Sequence, residues 1–309
     1  MGISALSAAQ ISALSTSTIQ ALSTTDIQAL SSTQIAAINT SGIGVLDATQ
    51  LGALSSTQVR GLTTTQISYL SDSVSFSSNQ LMVLNGAQLN ALSTTQIAGL
   101  DATEIGVLSS TQLSGLSATH VSDLTATQVG SLSTTQVRGL TSTQLAGLST
   151  TDIGELSSTQ VSAFSTSQIS ALSVTNVGAL STTQIGGLSS TQIGALSVAK
   201  LSAFDATQMG ALSTTQISGL TSTQLNGLST TDFGELTSTQ IGGLTSTQLG
   251  ALSATNFSSL DATTVGALTE TQIRGVTATQ MRALSTTDIG ELSSTQVGVL
   301  SSTQVASLS

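Results

Sequence analysis

An apolar anchor recurs every eight residues along this chain. It runs Leu6, Leu14, Leu22, Leu30, Ile38, Leu46, Leu54, Leu62 and Leu70, resumes at Phe76, and continues through Leu84 and Leu92 to Leu308. The one slip is the irregular unit 71–76, two residues short of an octad. The consensus reads L-S-[ST]-T-Q-[ILV]-x-[GA] from end to end. No linker or shift of composition interrupts it, so residues 1–309 are expected to form a single octapeptide-repeat array.

An eight-residue period fits no continuous element. On one long α-helix eight residues turn through about 800°, so the apolar stripe would rotate by about 80° per unit and present no steady face. On a straight strand the Leu at position 1 and the Ile at position 6 differ in parity and would face opposite sides. A β-solenoid with a corner inside each octad remains an alternative, and the many Thr residues suit it.

A third reading uses more positions. The residue after each anchor, from Ser7 to Ser309, is always Ser, Thr, Asp or Asn: 25, 8, 4 and 2 times over 39 positions. Their side-chain oxygens accept from the free N–H groups at a helix start. Three residues on stands Gln, as in Gln34, Gln96 and Gln184, which is the capping-box spacing. The anchor before the cap and the Ile, Val or Leu at the fourth helical position form a hydrophobic staple. Leu180-Ser181-Thr182-Thr183-Gln184-Ile185 therefore reads as a complete helix N-terminus. The fold expected is all-α: a solenoid or superhelix of capped helices of about 1.5 turns, one per octad. Helices so short are unstable alone, so neighbouring coils must supply the rest. Leu and Ile are expected inside and Ser, Thr and Gln outside. Small residues at positions 7 and 8 are expected to let each helix end and the backbone bend.

Composition excludes several kinds of chemistry. The chain has no Cys, so no disulfide framework and no thiolate site. Its five Lys and Arg residues against a net charge of −10 cannot neutralise a nucleic-acid backbone, so no nucleic-acid partner is expected. No run of 18 apolar residues occurs, so no membrane insertion is expected. His120, the sole His, stands at a box position in Ser117-Ala118-Thr119-His120 and reads as a substituted capping residue. With one His and dispersed acids, no Ser or Thr nucleophile has a base and an orienting partner. The chain is therefore not expected to be an enzyme, and no catalytic residue, cofactor site or metal site is assigned.

The acids follow the octad. Asp26, Asp152, Asp232 and Asp288 occupy the box position, and Asp47, Asp101, Asp205 and Asp261 the cap. Both placements put negative charge where the helix dipole favours it. Asp152/Glu155, Asp232/Glu235 and Asp288/Glu291 carry a second acid three residues on. Aligned between coils, these pairs would offer oxygens to Ca²⁺, although such a site wants six to eight of them. Arg60, Arg138, Arg274 and Arg282 share position 7 and read as solvated surface charge; Lys200 stands at a box position. Phe164, Phe204, Phe233, Phe257, Met82, Met209 and Met281 read as core variation. Tyr69 precedes the slip, which is expected to mark a kink or a change of register.

The octads, for example Leu132-Ser133-Thr134-Thr135-Gln136-Val137, resemble the L-T-T-x-Q-[IV]-x-[AG] tracts of large secreted or surface-associated, adhesin-like bacterial repeat proteins. That resemblance implies an extracellular or cell-surface location and a structural or adhesive role. The expected function is an elongated fibre, stalk or self-assembling filament. Neither end carries a distinct polar capping unit, which fits either an excerpt of a longer array or ends that dock, and homo-oligomers built head to tail or laterally are expected. The alternative is an adhesin or ice-binding surface presenting a Ser/Thr ladder, which requires the flat β arrangement.

Overall fold

The computed structural model of the chain describes residues 2–308. The unit around Ser133 shows how each octad folds. Ser133 is extended, with φ −69° and ψ 158°, and opens the helix Thr134–Gly139. The Gln136 N–H donates to Ser133 Oγ at 3.2 Å, and the Ser133 N–H donates to Gln136 Oε1 at 2.8 Å. Two of the N–H groups that a helix start leaves free are thereby satisfied. At the other end the Leu140 N–H donates to the Val137 carbonyl at 3.2 Å. Leu140 is extended too (φ −62°, ψ 135°), so anchor and next cap form a short link between helices.

This unit repeats through the chain. Among the described residues there are 37 α-helices and one 3-10 turn, Ile3–Ala5, and no strand. Most helices run five or six residues, as in Ser56–Arg60 and Thr24–Ala29. The all-α solenoid of capped short helices is what the structure has; the β-solenoid, and the flat Thr ladder that depends on it, are not. By contacts the chain divides into two units, Met1–Leu156 and Ser157–Ser309, and the octad consensus runs through both.

Within each unit a helix packs on the one three octads along. In the first, Ala8–Ser12 meets Ser32–Ala37 and Ser110–Ser114 meets Thr134–Gly139; in the second, Ala254–Ser258 meets Ala278–Ala283. Side-chain bonds between coils typically span 28 to 31 residues, as from Gln58 to Leu30 and Ile27. A coil therefore takes more than three octads and fewer than four. The staple pair fills its centre: Val59 is fully buried and the anchor Leu54 is 4% exposed. Phe164, Phe204, Phe233, Phe257, Met209 and Met281 are core residues as expected. Met82 is not; it sits at position 7 and is exposed.

The glycines do a different job from the one expected. No described residue has a positive φ, so no helix ends in a left-handed glycine. Position 8 instead passes close to position 3 of a helix in the preceding coil. A Cβ on Gly61 would lie 2.9 Å from Ser32 Cβ, and one on Gly115 would lie 2.5 Å from Gly86 Cα. The small residue is needed for close approach of coils, not for backbone conformation.

The slip at 71–76 forms no helix. Val74 and Phe76 are buried in place of a normal staple pair, and Ser93 Oγ donates to Asp72 Oδ1 at 2.5 Å. The intercoil register absorbs the deletion locally. Gln88 reaches back 26 residues to the Leu62 carbonyl, whereas Gln112 again reaches back 28, to Leu84.

Far-UV circular dichroism of the protein should show a helical double minimum; a single strand-type minimum would contradict the fold. Gly115→Ala should destabilise the protein by about 1–3 kcal/mol in denaturant unfolding, because its Cβ meets the Gly86 backbone. Gly106→Ala, which meets nothing within 4 Å, should leave stability unchanged or raise it by up to about 1 kcal/mol.

Candidate functional site: the glutamine joint between coils

The box glutamine belongs to two coils at once. Its Oε1 closes the capping box of its own helix. Its Nε2 points the other way, into the C-terminal end of a helix in the preceding coil. Gln58 Nε2 donates to the carbonyls of Ile27 and Leu30, both at 2.7 Å. Gln144 donates to Leu113 and Leu116, both at 2.8 Å. In the second unit Gln224 donates to Ile193 at 2.9 Å and to Leu196 at 2.8 Å.

The two acceptors are the anchor carbonyl just past the helix, such as that of Leu30, and the position-6 carbonyl, such as that of Ile27, which already takes the anchor N–H at 3.2 Å and gains a second donor. One carboxamide thus satisfies a helix start in its own coil and a helix end in the coil before. The expectation that Gln lies outside is corrected by this geometry. Gln58 is 3% exposed, and most box glutamines are buried with it. Burial of an amide is tolerated because donors and acceptor are all used. The sequence shows the capping half of the joint, because Ser and Gln are three residues apart. It does not show the other half, whose partners lie a whole coil away.

At several boxes without Gln, a residue of the preceding coil takes over part of the joint. Asp152 Oδ2 accepts from the Ser149 N–H at 2.6 Å, as a box residue should, but a carboxylate cannot donate to a carbonyl. Ser122 donates its hydroxyl to the same oxygen at 2.6 Å. In the second unit Ser202 does the same for Asp232 at 2.7 Å. His120 does not close a capping box. Its Nδ1 lies 3.0 Å from Asn90 Oδ1, and that oxygen accepts from the Ser117 N–H at 2.7 Å in place of the missing Gln oxygen. Lys200 Nζ donates to the Ser170 carbonyl. At Gly42 the cap itself compensates. Asn39 Oδ1 accepts from the Gly42 N–H at 2.8 Å, and Asn39 Nδ2 donates to the Ser12 carbonyl at 2.8 Å.

The cap acids behave as the dipole argument expects. Asp47, Asp101, Asp205 and Asp261 each accept from the N–H three residues on, at 2.7 to 2.8 Å. Hydrogen bonds from Ser23 hold the Asp26 carboxyl below the ordinary carboxylate range, and those from Thr264 do so for Asp261. The glutamates differ. Glu155, Glu235 and Glu291 each turn one oxygen, Oε2, into a buried position without a hydrogen-bond partner. Burial, then the charge of Asp152, pushes the Glu155 carboxyl up; burial, then Asp232 and Asp205, does the same for Glu235. Desolvation lowers the His120 imidazole. Among the described residues no group of three or more His, Cys, Asp or Glu is placed to hold a metal ion. Arg60, Arg138, Arg274 and Arg282 are exposed, and Arg274 lies 3.9 Å from Glu270 on its own helix. No helix among the described residues is long and apolar enough to cross a membrane.

A helical fold built from one recurring joint defines a repeat-tract protein. The comparisons with known proteins point the same way. The family described as the ALTTAQ repeat matches residues 19–56, 148–182, 169–198 and 277–309. No curated protein matches the chain.

Gln58→Glu should cost about 2–5 kcal/mol in urea unfolding, because it sets a carboxylate against two carbonyls that lose their donor. Gln20→Glu, at an exposed position 7, should stay within about 0.5 kcal/mol of wild type. Equal effects would mean that the joint carries no stability.

The raised glutamates predict a pH dependence. A group whose carboxyl is raised on folding stabilises the protein below its ordinary value, 4.5 for Glu155 and Glu235. That contribution is lost as pH climbs through the raised value. The double variant Glu155→Gln/Glu235→Gln should therefore gain on wild type in melting temperature as pH rises from about 4 to 7. A difference independent of pH would contradict the assignment.

Proposed function

We propose that the protein is a structural extracellular repeat protein, a load-bearing spacer that forms a fibre, stalk or filament at a bacterial surface. The observation that carries the reading is the recurrence of one intercoil joint through both units, with several of its variants compensated from the neighbouring coil. Most of the acids, the single His and the basic residues serve as caps, boxes or surface charge.

Composition supports the setting. A Ser/Thr surface with few charges and no Cys keeps its fold without disulfides and has no thiol to oxidise. Head-to-tail association of copies could reuse the same kind of contact, whereas lateral association would need another. The Gln-to-carbonyl bond is already independent of which octads it joins.

Negative-stain microscopy of the purified protein tests the reading. Rods or filaments of constant width are expected, lengthening in proportion when octads are added genetically. Compact, monodisperse particles whose length does not follow octad number would overturn it. Loss of immunolabelling after protease treatment of intact cells would support the location, and full protection would count against it.

A further inference from the structure

The box at Thr264 makes no side-chain hydrogen bond to the preceding coil among the described residues, and unlike the boxes at Glu104 and Asp288 it sets no carboxylate against that coil's carbonyls. At position 264 the box residue is Thr, too short to reach the preceding coil. The slot that a glutamine would fill there is defined by comparison with other boxes. Gln240, at the box three octads earlier, donates to the carbonyls of Met209, Gly210 and Leu212, which lie 31, 30 and 28 residues back. The same offsets from Thr264 lead to Phe233, Gly234 and Leu236. These three residues line a cleft of about 390 Å³ together with Leu260, Asp261 and Thr264. The Phe233 carbonyl is met by N–H groups of its own helix end, from Glu235 and from Leu236, the latter at 3.1 Å. No donor from the following coil reaches it among the described residues. The boxes on either side are filled: Asn256 donates to the Leu228 carbonyl at 3.0 Å, and Gln272 to Leu244 at 2.7 Å.

We propose that this cleft is a binding site for a primary alkylammonium group, which takes the place of the absent glutamine carboxamide. Three observations carry it. The cleft is lined by Phe233, Gly234 and Leu236, whose counterparts at other joints accept through their carbonyls, at the end of the helix Thr230–Gly234 where the peptide dipoles favour positive charge. The rim holds the Asp261 carboxylate, fixed by the Thr264 N–H at 2.7 Å, and the floor is apolar, from Phe233, Leu236 and Leu260. An ammonium already fills the equivalent slot elsewhere in this unit: Lys200, at a box position, donates to the Ser170 carbonyl in the coil before. The slot chemistry therefore accepts an ammonium on an aliphatic stem, and at Thr264 that group must come from outside. A free aliphatic amine and the lysine side chain of another chain share this chemistry. The site is independent of the fibre reading.

The test titrates the full chain with n-butylammonium chloride, and separately with a lysine blocked at both backbone ends, following backbone amide shifts by NMR. Saturable shifts at 233–237 and 259–264 are expected. In Thr264→Gln, which restores the consensus joint, affinity should fall roughly tenfold or more while the helical spectrum is kept. Tighter binding of the blocked lysine assigns the occupant to a protein partner, and tighter binding of butylammonium assigns it to a free amine. Absence of saturable shifts with both probes overturns the proposal. So does equal binding to Thr264→Gln, or equal binding of tetramethylammonium, which cannot donate a hydrogen bond.

Discussion

The fold depends on one side chain working in two directions. A helix as short as Ser56–Arg60 leaves most of its backbone groups without a partner inside it, since four N–H and four C=O groups belong to the ends of any helix. Repeated along a whole chain, that deficit would leave each coil unable to bury its ends. The box glutamine removes part of it from both sides. Gln136 takes the Ser133 N–H on Oε1 and gives Nε2 to the Ile105 and Leu108 carbonyls, both at 2.8 Å. Neither Glu nor Asp can do this, because an ionised carboxylate only accepts. The apolar staple fills the centre of each coil, but burial alone is non-directional. The carboxamide sets which octad lies over which.

That constraint explains the variants better than a tolerance argument does. At three boxes a substitution is matched by position 7 of the coil before, the residue beside the vacated carbonyls. Ser122 and Ser202 bring a hydroxyl to Asp152 and Asp232, and Asn90 brings an oxygen to the cap left open by His120. At the deletion 71–76, Gln80 and Gln88 keep their kind of partner and only the count of intervening residues changes, whereas Gln96 reaches the Ser71 carbonyl, 25 residues back, in place of an anchor carbonyl. A structure held by an interchangeable joint accepts deletions and substitutions without losing its stack.

How much of this could be read from the residues alone follows from distance along the chain. Caps, boxes and staples are local patterns within one octad, so Ser133, Gln136 and Val137 announce their helix directly. The all-α fold and the core placement of Phe204 or Met209 come from the same local information. The burial of glutamine did not, because its second set of partners sits a whole coil away and no local pattern marks a carbonyl as a target. The glycines misled for a related reason. Position 8 looks like a helix stop in sequence, yet Gly61 has ordinary helical φ and ψ and is small only because Ser32 of the preceding coil lies under it. The empty slot at Thr264 was equally hidden: a Thr among many is unremarked until the carbonyls that face it from the coil before are known. Compensation between coils was visible in principle, since Asp152 and Asp232 both follow a Ser at the same spacing, Ser122 and Ser202.

Hydrogen exchange of the glutamine side-chain carboxamides, resolved by NMR, tests the central claim most directly. Gln58, Gln144 and Gln216 donate from Nε2 to two buried carbonyls each. Gln20 and Gln28, at position 7, are exposed. The first group should exchange slower than the second by roughly two orders of magnitude or more, the retardation expected when exchange requires the coil to open. Uniformly fast exchange across all glutamines would contradict the account, because it would mean that the coils are held without the joint.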